Sequence, residues 1–216
     1  MTTTQVSPNN PCPFLRALVE LGVVSGHVEP LSHLSDVVTA AAGVEDAQVL
    51  KTKLTISLIA LVANGLSPLQ LFENARVGAT LDELRGGPLD KRGAGSRILR
   101  SDGQVDLAEL DRLNDFAVDQ TDSQGHSERG LGIDQITAMM DANFARAAGA
   151  RRRIDRQLMN GEWPVLLRVL GKGAAGNPYL SVSELRVLFV ERRLPARILA
   201  RLDRFAPAHS APQAAK

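Results

Sequence analysis

The chain has 216 residues, enough for one globular domain with a well-buried core. Its 25 Lys and Arg against 24 Asp and Glu leave a formal charge of +1, so no global field points to nucleic acid or to an acidic membrane surface. Hydrophobic residues make up 44% and aromatic residues only 4%, with Ala, Leu and Val dominating the apolar runs, which predicts a mostly α fold rather than a sheet sandwich.

The first ten residues are polar and lack the basic and apolar regions of a secretory signal, and no apolar run is long enough to span a bilayer. This predicts a soluble cytoplasmic protein with a flexible stretch over 1–10. Cys12 is the only cysteine, which fits a reducing compartment. It stands in Pro11-Cys12-Pro13 at the mouth of an amphipathic segment, Phe14, Leu15, Leu18 and Leu21, that Gly22 is placed to end. Proline suits the first helical position, so Pro13 makes Cys12 the N-cap, its sulfur near unpaired N–H groups and the positive end of the dipole. Both effects favour a thiolate, which can act as a nucleophile or as the axial ligand of a haem iron. The plainer alternative is a small buried hydrophobe at a rigid turn.

Helical spacing continues from about Pro30 to Ala42 and from Glu45 to Ala63, where Leu50, Leu54, Leu58 and Leu61 form an apolar face that predicts a core helix. Ser67-Pro68 is a cap followed by proline and opens a short helix through Leu69, Leu71 and Phe72. Glycines and charges then accumulate from Arg85 to Gly103, which reads as a long loop. Leu107, Leu110, Leu113 and Ala117 resume the helical period, which breaks in the polar stretch Asp119–Arg129. Ile133, Ile136, Met140 and Phe144 mark a long helix with core-facing methionines. Gly161-Glu162-Trp163-Pro164 precedes an apolar run ending at Gly171, read as a helix with glutamate in its first turn. Ser181-Val182-Ser183-Glu184 is a capping-box pattern, and Pro195 interrupts the helix it starts. The domain therefore spans 11–205, with a disordered tail expected over 206–216.

In this order the chain resembles the haem-thiolate peroxidases of the chloroperoxidase and unspecific peroxygenase type, peroxidase family 2. Three blocks carry the resemblance. The first is Pro11-Cys12-Pro13 with Leu15, Ala17 and Leu18. The second is Leu58 to Phe72 and then Ser101-Asp102-Gly103-Gln104-Val105 with Asp111, similar to the region of the family's Glu-His-Asp or Glu-Gly-Asp motif. The third is Gly161-Glu162, an apolar run and Gly171, then Ser183-Glu184-Leu185 and Leu188-Phe189-Val190-Glu191-Arg192-Arg193-Leu194-Pro195, similar to the family's Phe-Phe-Glu-x-x-Arg-Leu-Pro.

The resemblance implies a single-domain helical bundle with haem b ligated by Cys12, a distal acid-base at Glu162 aided by Arg156, and hydrogen peroxide plus a small organic molecule as substrates. Such a protein is an oxidoreductase with no nucleic-acid or membrane partner; its oligomeric state is left open. A thiolate donates electron density that helps O–O cleavage, while a carboxylate can take a proton from one peroxide oxygen and deliver it to the other. The chain also departs from the family. Arg100-Ser101-Asp102 stands where the magnesium-binding glutamate is expected, so magnesium is not carried over, and Arg100 is expected to pair with a haem propionate instead. The segment between Phe116 and Leu131 is short.

Two alternatives remain at this level. One is a non-catalytic protein of the same fold that binds haem or acts through partners by arginine-rich faces around Arg151–Arg153 and Arg192–Arg204. The other is an EF-hand-like calcium site, since Asp102 to Glu109 matches the second half of such a loop while Ile98 and Arg100 break the first. His27, His33, His126 and His209 do not share metal-ligand spacing.

Overall fold

The computed structural model describes residues 6–44, 46–90, 94–173 and 176–205. The tail expected over 206–216 and the first five residues of the expected flexible start lie outside them. Helix α1 (Pro13–Glu20) begins where Pro13 presets the helical φ, with Cys12 as its extended N-cap. Helix α2 (Leu31–Ala42) ends at Gly43, whose φ of 59° is the left-handed conformation of a C-cap. Helices α3 (Asp46–Leu61) and α4 (Pro68–Arg76) follow, the latter capped by the Ser67 hydroxyl accepting from the Gln70 N–H. A two-residue pairing of β1 (Val28–Glu29) with β2 (Ala79–Thr80) closes this half.

After the long loop, Asp106 caps α5 (Leu107–Asp111), and α6 (Leu113–Phe116) continues it. The polar stretch after Phe116, read from its sequence as a break, is an antiparallel hairpin of β3 (Val118–Thr121) and β4 (Ser127–Leu131). Strand β4 also pairs with β5 (Leu180–Ser181), so this small sheet ties the middle of the chain to its last third. Helix α7 (Ile133–Arg146) buries Ile136, Met139 and Met140 as expected. Helices α8 (Asp155–Leu158), α9 (Trp163–Leu170), α10 (Val182–Glu191) and α11 (Ala196–Leu202) complete a mostly helical protein.

One hydrophobic core runs through α1, α2, α7, α9, α10 and α11, with Leu18, Val37, Ile136 and Ile198 sealed from solvent. Helix α1 packs on α10, and α9 packs on α2 and α7. Within residues 6–10, Asn10 is buried and the turn is held by hydrogen bonds described below. One expectation is corrected. The leucine face of α3 is not core: Leu50, Leu54 and Leu58 point to solvent, and the helix meets α2 through its other side, with Ile56 and Ala60 at the core. Among the described residues no helix is long and apolar enough to cross a membrane.

Candidate functional site

Cys12 occupies the position its neighbours dictate. Its backbone is extended (φ −87°, ψ 112°), its N–H is held by the Asn10 side-chain oxygen at 3.1 Å, and its carbonyl accepts the first helical bond from Arg16 at 3.0 Å. The side chain is half-buried against the edge of the core.

The surroundings of this cap are cationic. The Arg16 guanidinium is buried one helical turn beyond Cys12 and donates to the carbonyls of Ser7 (2.9 Å), Asn10 (3.3 Å) and Gly103 (3.1 Å). Arg85 donates to the carbonyls of Pro8 (2.9 Å), Leu99 (3.2 Å) and Arg100 (2.5 Å), while its own N–H goes to Asn9. Among the described residues neither arginine has a carboxylate at hydrogen-bond distance, so both charges stay uncompensated at close range. Burial lowers the Arg16 pKa from its usual value, and the fields of Arg192 and Arg85 push the same way against the weaker pull of Glu20.

These two arginines strap the turn before Cys12 to the turn at Arg100–Gly103. That second turn is closed by the Gly103 N–H on the Arg100 carbonyl and the Arg100 N–H on the Gln104 carbonyl, both 2.9 Å. Gly103 has φ 78°, and a β-carbon there would lie 2.9 Å from Pro8, so glycine is required both by the turn and by the close approach. The cysteine block and the Ser101-Asp102-Gly103 block are thus neighbours in space. The third block joins them through α10, which packs on α1 and places Arg192 3.1 Å from Glu20.

The remaining candidates are distributed differently. Arg100 is exposed and pairs with Asp102 at 3.1 Å. Glu162 is half-buried at the N-cap of α9 rather than inside its first turn, with its carbonyl accepting from Leu166 at 2.8 Å. Next to it, Trp163 is buried and stacks on Phe189 of α10, centroids 6.4 Å apart, so the segment that carries the acid packs on α10, as the cysteine helix does. Arg156 is drawn to Asp141 of α7 at 2.5 Å and to Asn160 at 3.0 Å.

The carboxylates of the calcium alternative are already engaged. Asp102 accepts from Gln104 N–H, Asp106 accepts from Glu109 N–H, and Glu109 is clasped by both terminal nitrogens of Arg146 at 2.7 Å. Among the described residues no group of three His, Cys, Asp or Glu could hold a metal ion.

Sequence reasoning missed a second polar centre. Glu128 of β4 accepts from Tyr179 (2.8 Å), Ser181 (2.6 Å) and Lys172. Burial disfavours its charge, but the bonds from Lys172, Ser181 and Tyr179 outweigh that and hold its carboxyl below the ordinary range. Burial and the same carboxylate push the Tyr179 hydroxyl far up. A hollow of about 280 Å³ opens beside it between Leu110, Asn114, Val182 and Arg186; a second, of about 10 Å³, lies by Ile98, Leu113 and Met139. Neither is lined by Cys12 or Glu162.

A haem can be tested against these residues. On the thiol side the donor chemistry suits, one soft ligand at a helix N-terminus, but Arg16 is buried with its guanidinium engaged by three carbonyls, and neither hollow is lined by Cys12. On the acid side neither hollow reaches Glu162, so a porphyrin would have to part side chains that are in contact here. No protein-family model, curated protein or solved structure matches the chain.

Proposed function

We propose that this is a haem-binding protein of the haem-thiolate peroxidase type, with Cys12 as the axial ligand and hydrogen peroxide as oxidant. The observation that carries the reading is the convergence of the turn before Cys12, the Arg100–Gly103 turn and α10 on helix α1, with the cationic Arg16 one helical turn beyond the capping cysteine. Arg16 and Arg85 orient the ligand loop through its carbonyls, and the exposed Arg100 would offer positive charge to a propionate. Bound haem supplies peroxide activation, for which a thiolate ligand donates electron density.

Glu162 is the residue of this chain that holds and returns a proton during that chemistry, from the end of α9 fixed by Trp163 on Phe189. Arg156 assists once released from Asp141. The setting is a reducing cytoplasm, which keeps the thiol available, and the co-substrate is a small organic molecule.

Haemin titration with a peroxide assay tests both parts. Cys12→Ser is expected to lose tight binding, whereas Glu162→Gln is expected to bind haemin normally and to lose peroxide turnover by about 100-fold or more. Normal turnover in Glu162→Gln removes its acid-base role, and unchanged binding in Cys12→Ser removes the ligand. A specific observation also favours a second reading, a non-catalytic haem binder of the same fold: Arg156 is tied to Asp141 and Asn160, and neither hollow is lined by Glu162. Tight haemin binding without turnover in the unmodified protein selects it.

A further inference from the structure

Among the described residues, large exposed apolar side chains gather on α3 and α4. Leu50, Leu54 and Leu58, with Leu66, Leu69 and Phe72 on and before α4, are 62–71% exposed. Single exposed apolar side chains mean little, but six between Leu50 and Phe72 leave on the order of 700 Å² of apolar surface in water, close to the ~800 Å² each partner contributes to a standard specific interface. The other side of α3 meets α2 and places Ala60 and Ile56 at the core, so the outward face is additional to the fold's own needs.

We infer that this face is the contact between two copies of the chain. Leu50, Leu54 and Leu58 form a single i, i+4, i+8 ridge, the ridge that interdigitates when two helices cross at about −50°. The ridge is symmetric about Leu54. A two-fold axis at Leu54 sets Leu50 of one copy against Leu58 of the other, which is the self-complementarity an isologous dimer requires.

The charges agree. Lys53 is turned to Asp36 on the α2 side at 2.6 Å, which leaves Lys51 as the outward charge among the described side chains of α3. The same axis puts Lys51 opposite Ser57, so no like charges meet. A lipid surface fits less well, because membrane-seated helices carry a strongly basic polar face, whereas here Lys51 and Arg76 are accompanied by Glu73.

The test is sedimentation equilibrium of the full chain from about 1 to about 100 μM, with a vesicle-flotation arm using mixed neutral and anionic phospholipid. The proposal expects twice the chain mass at the upper concentrations. Leu54→Glu should weaken dimerisation by at least about 100-fold while leaving circular dichroism, and Tm at concentrations where the wild type is monomeric, unchanged, because Leu54 makes no core contribution. Ile133→Glu, exposed on α7, should leave the dimer intact. Under mild oxidation Leu54→Cys should crosslink beyond the level that wild-type Cys12 gives, and Leu50→Cys should not. A monomer at every concentration, whether or not it floats with vesicles, overturns the proposal, as does a dimer that survives Leu54→Glu or crosslinks equally through Leu50→Cys.

Discussion

Arg16 illustrates how one side chain can organise the turn before a capping cysteine. A buried guanidinium satisfied by three carbonyls holds the backbone on both sides of Cys12 and on the facing turn, so its loss should be felt twice. Arg16→Met keeps most of the stem packing but orphans those carbonyls, and is expected to cost about 2–4 kcal/mol in urea unfolding and to weaken haemin binding. A change under about 0.5 kcal/mol would show that the strap is not structural. Glu128 sets a pH dependence of definite sign. Its carboxyl is held below its ordinary value in the folded state, so the stability it lends is complete above its unfolded pKa of about 4.3 and is lost as pH falls through the folded pKa. Glu128→Gln should therefore lower stability at neutral pH by about 1–3 kcal/mol and flatten the fall in stability on the acid side. Parallel stability curves for the two proteins between about pH 3 and pH 6 would contradict this.

Among the elements, those whose ends are written in local chemistry were legible in the sequence and those defined by tertiary partners were not. Pro13 after Cys12, Ser67-Pro68 and Ser181 with Glu184 each act within a few residues, and each helix starts where they place it. Asp106 is a cap of the same kind. Asp106→Ala should lower thermal stability by about 1 kcal/mol, measurable as a Tm shift, and an unchanged Tm would mean the α5 terminus is held by packing alone. The β3–β4 hairpin escaped because its exposed strands carry no apolar alternation; the Asp122–Gly125 turn, with Gly125 at φ 84°, was its one local signal. Helix α3 spreads apolar and polar residues around its circumference, so its periodicity could not say which face meets α2.

At the scale of the whole molecule, the mostly helical architecture followed from composition and period, while the meeting of the cysteine turn with the Arg100–Gly103 turn depends on contacts far apart in sequence. Arg16 reaches across 87 positions to Gly103, and nothing in either segment alone announces it. The site residues divide accordingly: Cys12, Arg100 and Asp102 share a neighbourhood, whereas Glu162 and Arg156 belong to the α7–α9 side. Because neither hollow is lined by Cys12 or Glu162, haem would have to part existing contacts and pay for that from its own binding energy. A saturating excess of haemin should still raise Tm, by an amount that grows with the logarithm of its free concentration; a Tm independent of haemin would argue against binding to the folded state. The most direct test of the central claim is the absorption spectrum of the haemin-loaded protein, reduced and exposed to carbon monoxide. A Soret band shifted far to the red, as sulfur ligation produces, and lost in Cys12→Ser is the predicted result. A band at the position typical of nitrogen ligation, or one identical in Cys12→Ser, would contradict the assignment of Cys12 to the iron.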